Sequence, residues 1–231
     1  MKKFKKLIIA CDGESASGKS TAAKLISKKY KLLLINSGLL YRYASKEIIN
    51  YKPKNNISFL KKKFKNISYK KIIKFNLHSE QISNHAAIIA KNKNIRKIIN
   101  TFQKKLIKKN KKICVEGRDI ASKILAKNPK YDLAFYFKCN IKVASYRRWL
   151  DIKKKVSLQK VRKSLTKRTS MDKKRKNSPL VKVKDAILIR TDKLTKKQVL
   201  SKMSGHIAVS YTHLRAHETP EHRVCRLLLE K

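Results

Sequence analysis

The segment Gly13–Ser20 has the spacing GxxxxGK[ST], and its residue types are suited to holding phosphate groups. Glycine lets the backbone curl so that successive N–H groups point inward, and the positive end of a following helix adds to their attraction for an anion. Lys19 is expected to reach the β- and γ-phosphates of ATP, and the Ser20 hydroxyl to bind Mg²⁺. The residues expected to hold the ATP phosphates are Gly13, Glu14, Ser15, Ala16, Ser17, Gly18, Lys19, Ser20 and Thr21.

Arginine is the second residue type that could serve phosphate chemistry. The chain has 12 arginines and 49 lysines. Because lysine is by far the commoner cationic residue, an arginine indicates a position where its particular chemistry is needed. The planar arginine fork binds phosphate through two hydrogen bonds, which an ammonium group does not reproduce. Phosphoryl transfer needs several such forks around the charge that spreads over the transferring group. The arginines that precede residue 205 are Arg42, Arg96, Arg118, Arg147, Arg148, Arg162, Arg168, Arg175 and Arg190.

The elements that must position these residues alternate along the chain. Leu7–Cys11 is a short apolar run that predicts a strand buried on both faces, and Lys19–Tyr30 has apolar residues at helical spacing. Further strands are predicted at Leu32–Ile35, Ile113–Val115, Leu133–Phe137 and Ala186–Ile189, and further helices at Ile95–Lys108, Ile141–Leu150 and Leu158–Lys167. This order predicts an α/β fold of P-loop NTPase type, a parallel β-sheet flanked by helices.

Two segments interrupt the alternation. Residues 43–95 are rich in Lys and Asn, contain Pro53 and predict a small inserted subdomain. The highly charged residues 147–178 predict a mobile helical lid that ends before Pro179. The core of the domain is then formed by residues 1–42, 96–146 and 179–204.

The net charge of +47 leaves two interpretations open. Lysines run from end to end, and Lys, Ile and Asn are together favoured by A+T-rich codons, which indicates a diffuse charge. The other interpretation is a functional basic surface that binds nucleic acid. Clustered cations with interleaved aromatic residues would favour the second, but the lysines are scattered and aromatic residues make up 7% of the chain. Attraction to nucleic acid is therefore expected to be nonspecific only.

The four cysteines, Cys11, Cys114, Cys139 and Cys225, lie far apart and form no CxxC pair, so they are expected to be reduced and mostly buried. No apolar stretch approaches the roughly 18 residues that span a bilayer. The apolar run after Met1 is too short for a signal peptide, so a cytoplasmic location and no membrane partner are expected. A monomer is expected.

Composition changes near Gly205. The spacing of His213, His217, His222 and Cys225 would suit a metal site, but residues 205–231 also resemble a translated sequencing-adapter peptide. The second explanation is favoured, and the segment is expected to be a non-native tail to a domain of residues 1–204.

Several separated motifs resemble bacterial cytidylate kinases from about Leu7 to Met203. Besides the P-loop, they are Asn36-Ser37-Gly38 with Tyr41-Arg42, Ile95-Arg96 with Gln103, Glu116-Gly117-Arg118-Asp119, the lid pair Arg147-Arg148, and Arg168, Asp172, Arg175 and Pro179-Leu180. Asn36 stands where the family usually has Asp. The resemblance implies transfer of the ATP γ-phosphoryl group to CMP or dCMP, giving ADP and CDP or dCDP.

The resemblance also implies a role for each matched residue. Ser37 and Asp119 would bind the cytosine edge, Asp172 the ribose, and Arg175 the base or phosphate. Arg42, Arg96 and Arg118 would hold the acceptor phosphate. Lys19 and the lid residues Arg147, Arg148 and Arg168 would act on the transferring group, and Glu116 would order a water of the Mg²⁺ shell.

Three questions stay open at this point. The first is whether CMP or dCMP is the preferred acceptor. The second is whether UMP or another small acceptor is also used. The third is whether the chain is instead a basic nucleic-acid-binding protein, which the arginine pattern disfavours.

Overall fold

The computed structural model describes residues 4–216, with the side chains of residues 4–210. Within that range one parallel sheet has the strand order β2-β3-β1-β4-β5. The strands are β1 (Leu7–Gly13), β2 (Leu33–Asn36), β3 (Lys112–Glu116), β4 (Leu133–Lys138) and β5 (Ile187–Arg190). The parallel α/β fold predicted from the sequence is confirmed.

Helices connect the strands and cover both faces of the sheet. They are α1 (Lys19–Tyr30), α2 (Ser37–Tyr51), α3 (Asn56–Asn66), α4 (Tyr69–Ile72), α5 (Glu80–Ile89), α6 (Lys93–Lys108), α7 (Ile141–Asp151), α8 (Leu158–Lys174) and α9 (Lys196–Ala216), with a short π-helix at Ile120–Ile124. Among residues 4–216, no helix is both long and apolar enough to cross a membrane.

The central strand β1 is buried along its whole length because it lies between β3 and β4. Its side chains alternate between the two faces of the sheet, as the strand period of two requires. Ile8 and Ala10 join the larger apolar cluster, whereas Ile9 and Cys11 join the cluster beneath α1 and α9. A smaller cluster holds α7 against α8. The continuous apolar run in the sequence reflects this two-sided burial.

The segment 43–95 is more regular than its sequence indicates. It is helical, containing most of α2 and all of α3, α4 and α5, and none of the five strands falls within it. Asn55, Ser68 and Ser79 each accept a hydrogen bond from a backbone N–H in the first turn of the helix that follows. Leu60 and Phe64 of α3 lie in the same apolar cluster as β1 residues. The segment therefore packs onto the sheet and shares its core.

Three cysteines confirm the expectation of reduced, buried thiols. Cys11, Cys114 and Cys139 are buried and form no disulfide bond. The Sγ atoms of Cys11 and Cys114 lie 3.8 Å apart, at the distance of a thiol hydrogen bond. Cys225 lies outside the described residues.

Candidate functional site

The predicted site residues converge on the edge of the sheet where the strands end. The P-loop follows β1, Ser37 follows β2 and Arg118 follows β3, while Thr191 follows β5. Together with residues of α5, α7 and α8 they line a cavity of about 770 Å³. Ligands of open parallel sheets bind in the crevice outside the carboxyl ends of the strands.

The P-loop has the conformation that its glycines and helix predict. Gly18 has a left-handed backbone, with φ of 77°, at the start of α1. Thr191 Oγ1 donates a hydrogen bond to Ser17 O at 3.0 Å, which attaches the loop to the residue that follows β5. The Lys19 side chain is buried, and its Nζ lies 3.8 Å from Glu116 Oε2. The loop thus has a preset shape with one cation at its centre.

Burial changes the acid–base behaviour of Lys19. Removal of the ammonium from water, followed by the nearby positive charge of Arg118, lowers the pKa of Lys19 to about 8. Glu116 and Asp12 oppose this shift but do not cancel it. The lysine is mostly charged at neutral pH but is held in surroundings that favour an additional negative group.

Glu116 presents an unsatisfied oxygen to the same place. The side chain is buried at the end of β3, and Oε2 receives no hydrogen bond from any residue that the structure describes. Its separation of 3.8 Å from Lys19 Nζ is too long for a direct hydrogen bond. A carboxylate oxygen and the Ser20 hydroxyl, both lining the cavity, are the kind of oxygen donors that suit Mg²⁺ and its waters.

Four predicted arginines line the same cavity. The guanidinium groups of Arg42, Arg148 and Arg168 make no hydrogen bond or ion pair with another residue in the described part of the chain, and Arg118 lies beside them. Burial, then Arg118, lowers the pKa of Arg168 to about 10, and burial also lowers the pKa of Arg42, assisted by Arg118 and Arg148. Uncompensated guanidinium groups at close range favour the binding of a multiply charged anion.

Arg147 is placed differently from its neighbour Arg148. Its guanidinium donates to the backbone carbonyls of Thr191 at 2.9 Å and Asp192 at 3.2 Å, at the end of β5. The residue lines the cavity but its donors are engaged on the loop before α9. The structure therefore brings Arg148 and Arg168 to the arginine group but not the donors of Arg147.

The predicted base-binding residues Ser37 and Asp119 are buried in the wall of the cavity. Gln103 Nε2 donates to Ser37 Oγ at 2.6 Å, and both residues are buried. The Asp119 carboxylate is paired with Arg96 and lies 3.6 Å from Arg175 NH2. Because Gln103 occupies an acceptor position of Ser37, the serine hydroxyl can still donate. The cavity thus offers a hydroxyl donor and a carboxylate acceptor, the latter beside the two arginines Arg96 and Arg175.

Helix α8, which lies in the predicted lid, contacts the P-loop and the loop after β3. Lys173 Nζ lies 2.7 Å from Glu14 Oε1 of the P-loop, and Asp172 Oδ2 accepts a hydrogen bond from Arg118 Nε at 2.9 Å. Thr169 Oγ1 accepts a longer bond of 3.4 Å from the Ser15 amide. The predicted lid therefore contacts the P-loop, and its Asp172 bonds it to Arg118 in the loop after β3.

Asn36 caps the helix that carries Ser37. Its Oδ1 accepts a hydrogen bond from the Leu39 amide at 3.1 Å and so caps α2. The backbone N–H of Asn36 donates a hydrogen bond to Tyr69 Oη at 2.8 Å. The amide side chain is sufficient for the cap that orients Ser37.

Three parts of the cavity wall have no role predicted from the sequence. Tyr41 lies with its ring 5.7 Å from Arg96 Cζ, and burial raises the pKa of Tyr41 to about 12. Ser83 and Ala86 of α5 line the cavity, and Thr191 bonds to the P-loop. Thr191 is marked only by following a predicted strand, and α5 lies in the segment where the sequence gives few signals.

The residues whose spacing would suit a metal site all follow residue 210, the last one whose side chain the structure describes. The side chains of His213, His217, His222 and Cys225 lie outside the described residues. Among the side chains that are described, no group of three or more His, Cys, Asp and Glu could hold a metal ion.

Comparison with known proteins identifies relatives along most of the chain. The family model described as Cytidylate kinase matches residues 9–208. A cytidylate kinase of Mesomycoplasma hyopneumoniae (strain 7448) is 32% identical over 219 residues, which cover 87% of this chain and 93% of that protein. A cytidylate kinase of Rickettsia akari is 30% identical over 210 residues, covering 88% and 92%.

A solved structure supports the fold independently. The structure of an uncharacterized protein from Eubacterium ventriosum is similar with a TM-score of 0.56 and 17% sequence identity. The match covers 88% of this chain and 99% of that one. At this identity the likeness concerns the fold alone.

Proposed function

The chain belongs to the cytidylate kinase family, and from this premise we propose that it transfers the γ-phosphoryl group of ATP to CMP or dCMP. The observation that carries the proposal is the group of Arg42, Arg148 and Arg168, which line the same cavity as Lys19 and form no ion pair with a described carboxylate. Two bound nucleotides would supply negatively charged partners for these arginines.

The P-loop would hold the donor. Its amide groups and the N-terminus of α1 would bind the β-phosphate, and Lys19 would lie between the β- and γ-phosphates. Arg147, bound to the carbonyls of Thr191 and Asp192, would border the nucleoside end of the donor. This refines its expected role, since its donors are turned toward that loop.

The acceptor would occupy the opposite side of the cavity. The Ser37 hydroxyl would donate a hydrogen bond to the cytosine carbonyl, and the Asp119 carboxylate would accept one from the cytosine amine. Arg42, Arg96 and Arg118 would hold the phosphate, Asp172 the ribose, and Arg175 the base or phosphate. Arg118 is paired with Asp172, and Arg96 is paired with Asp119. With the acceptor bound, both arginines would also donate hydrogen bonds to it.

The reaction would proceed by positioning and charge stabilisation. An oxygen of the acceptor phosphate attacks the γ-phosphorus, the bond to the β–γ bridging oxygen breaks, and its electron pair leaves with ADP. Lys19, Arg148 and Arg168 would stabilise charge on the transferring group. No general base is needed, because the attacking phosphate oxygen is already ionised.

Mg²⁺ would complete the donor side. Ser20 would bind it directly and the unsatisfied Oε2 of Glu116 would hold one of its waters. The ion would neutralise phosphate charge and orient the β- and γ-oxygens.

Measurement of ADP release tests the proposal. The full chain is supplied with Mg²⁺-ATP and CMP, dCMP, UMP or AMP in turn, and CMP and dCMP are expected to stimulate turnover well above AMP. Lys19→Ala should abolish turnover without loss of the fold, while Lys24→Ala, on the exposed face of α1, should remain active. Equal stimulation by AMP would overturn the acceptor assignment, and full activity of Lys19→Ala would overturn the donor site.

A further inference from the structure

Asp12 is a buried carboxylate that none of the predicted site roles includes. It lies at the end of β1, directly before Gly13, and is 2% exposed. Its Oδ1 accepts a hydrogen bond from the Ile120 amide at 2.9 Å, and its Oδ2 accepts one from the Ala121 amide at 2.8 Å. The strand that leads into the P-loop is therefore bonded to the first turn of the π-helix.

These bonds fix the segment that carries the acceptor-binding residues. Arg118 and Asp119 lie directly before the π-helix, and the Gly117 amide donates to Cys11 O at 2.9 Å. The segment 117–121 is thus attached to β1 on both sides of Arg118 and Asp119. A displacement of either attachment would move both side chains relative to the P-loop.

Asp12 also takes a task that would otherwise fall to Asp119. Asp119 occupies the position before the π-helix, where an aspartate usually accepts hydrogen bonds from the first turn, but its side chain makes no capping bond. Its carboxylate is paired with Arg96 and Arg175 instead. Because Asp12 satisfies the first-turn amides, Asp119 is available to the acceptor pocket.

Keeping this carboxylate buried has an energetic cost. Burial raises the pKa of Asp12 to about 6, while the two amide hydrogen bonds oppose the rise. The group is still mostly ionised at neutral pH, where an ionised carboxylate can accept both bonds at once.

Within the proposed function, we infer that Asp12 is a positioning residue that fixes Arg118 and Asp119 relative to the P-loop, and so aligns the acceptor with the donor. Asp12 does not line the cavity itself. Loss of its carboxylate should impair acceptor binding selectively, since the P-loop retains the bond from Thr191 to Ser17.

The test compares Asp12→Asn with the matched variant Asp132→Asn. Asp132 Oδ2 also accepts a β1 amide, that of Ile8 at 2.7 Å, but does so near the start of β1. Asp12→Asn is expected to raise the KM for CMP about 10-fold or more, since small misplacements of binding groups cost one to two orders of magnitude. The KM for ATP should change less than about twofold, and Asp132→Asn should leave both constants unchanged.

Two further readouts keep the outcome decisive. Hydrogen exchange at the Ile120 and Ala121 amides should accelerate in Asp12→Asn, whether or not CMP is the acceptor. If Asp12→Asn does not fold, Asp12→Ser, which carries no charge to bury, should show the same selective rise in KM. A lower unfolding temperature with unchanged KM for CMP would overturn the inference, as would an equal rise in both KM values. An inactive wild-type chain would instead contradict the proposed function.

Discussion

Lys19 is the cavity residue whose charge should change just above neutral pH. Its pKa is lowered from the usual value to about 8, so the ammonium loses its proton as the pH rises through that value. ATP binds the charged form, and therefore kcat/KM for ATP should be constant below about pH 7 and fall above pH 8. Steady-state kinetics from pH 6.5 to about 9.5 measures this profile, because kcat/KM reports groups of the free enzyme.

A contrary profile would be equally informative. A kcat/KM for ATP that stays constant to about pH 9.5 would mean that Lys19 keeps an ordinary lysine pKa. The interaction with Glu116 would then outweigh the burial of the ammonium.

Arg168 allows a test of geometry at constant charge. In Arg168→Lys the positive charge is kept, but the planar fork that binds a phosphate through two hydrogen bonds is lost. We expect kcat to fall about 100-fold, as for the removal of one donor from a charge-stabilising site. Arg162→Lys provides the control, because Arg162 lies on the exposed side of the same helix, α8. Equal activities of the two variants would exclude a role for Arg168 in transfer.

Residue types and spacing were sufficient to find much of the candidate site but not its supporting contacts. The P-loop, Ser37, Arg118 and Asp119 belong to contiguous motifs, and the fold brings them to one cavity. Asp12 acts across 108 residues of sequence, and no local pattern indicates which amides it will meet. The same holds for Arg147, whose carbonyl partners are separated from it by more than 40 residues.

At the scale of elements, predictability followed the strength of the apolar pattern. The five strands were found because burial on both faces leaves continuous apolar runs, and α1 was predicted with its observed bounds. Helix α8 extends to Lys174, beyond the predicted Lys167, because its last turns contact the P-loop and β3 loop through charged side chains. The helices α3 and α4 were missed because Lys and Asn dilute their apolar faces. Helix α5 was missed as well, although it contains no lysine.

Two glycines predict opposite effects on the elements that contain them. A Cβ at Gly13 would lie 2.4 Å from Phe137 O of β4, so Gly13→Ala should disrupt the end of β1 and lower both stability and activity. Gly205 lies within α9 with no atom within 4 Å of an added Cβ. Gly205→Ala should therefore stabilise the protein by about 0.5–1 kcal/mol, through higher helix propensity. Thermal unfolding of both variants measures the contrast, and a less stable Gly205→Ala would contradict the placement of α9.

At the scale of the whole molecule, the charge of +47 should dominate weak binding to polyanions. We expect the chain to bind unrelated DNA sequences equally, and this affinity to fall at least about 10-fold between roughly 50 and 200 mM salt, because binding releases counterions. Fluorescence anisotropy with two DNA duplexes of different sequence measures both properties. Sequence preference that persists at high salt would favour the alternative of a functional basic surface.

The extent of the folded domain can be tested through α9. The helix continues through Gly205, and Ile207 is 1% exposed in the cluster that includes Ile26 and Phe135. We propose that the domain needs this side chain, so a chain of residues 1–204 should be less stable than one of residues 1–210 by about 2–5 kcal/mol, the usual cost of removing a buried Ile. Chemical denaturation compares the two chains, and Ile207→Ala in the full chain separates the side chain from the helix end. Equal stability of the two shortened chains would place the end of the domain at residue 204, as the change in composition predicts.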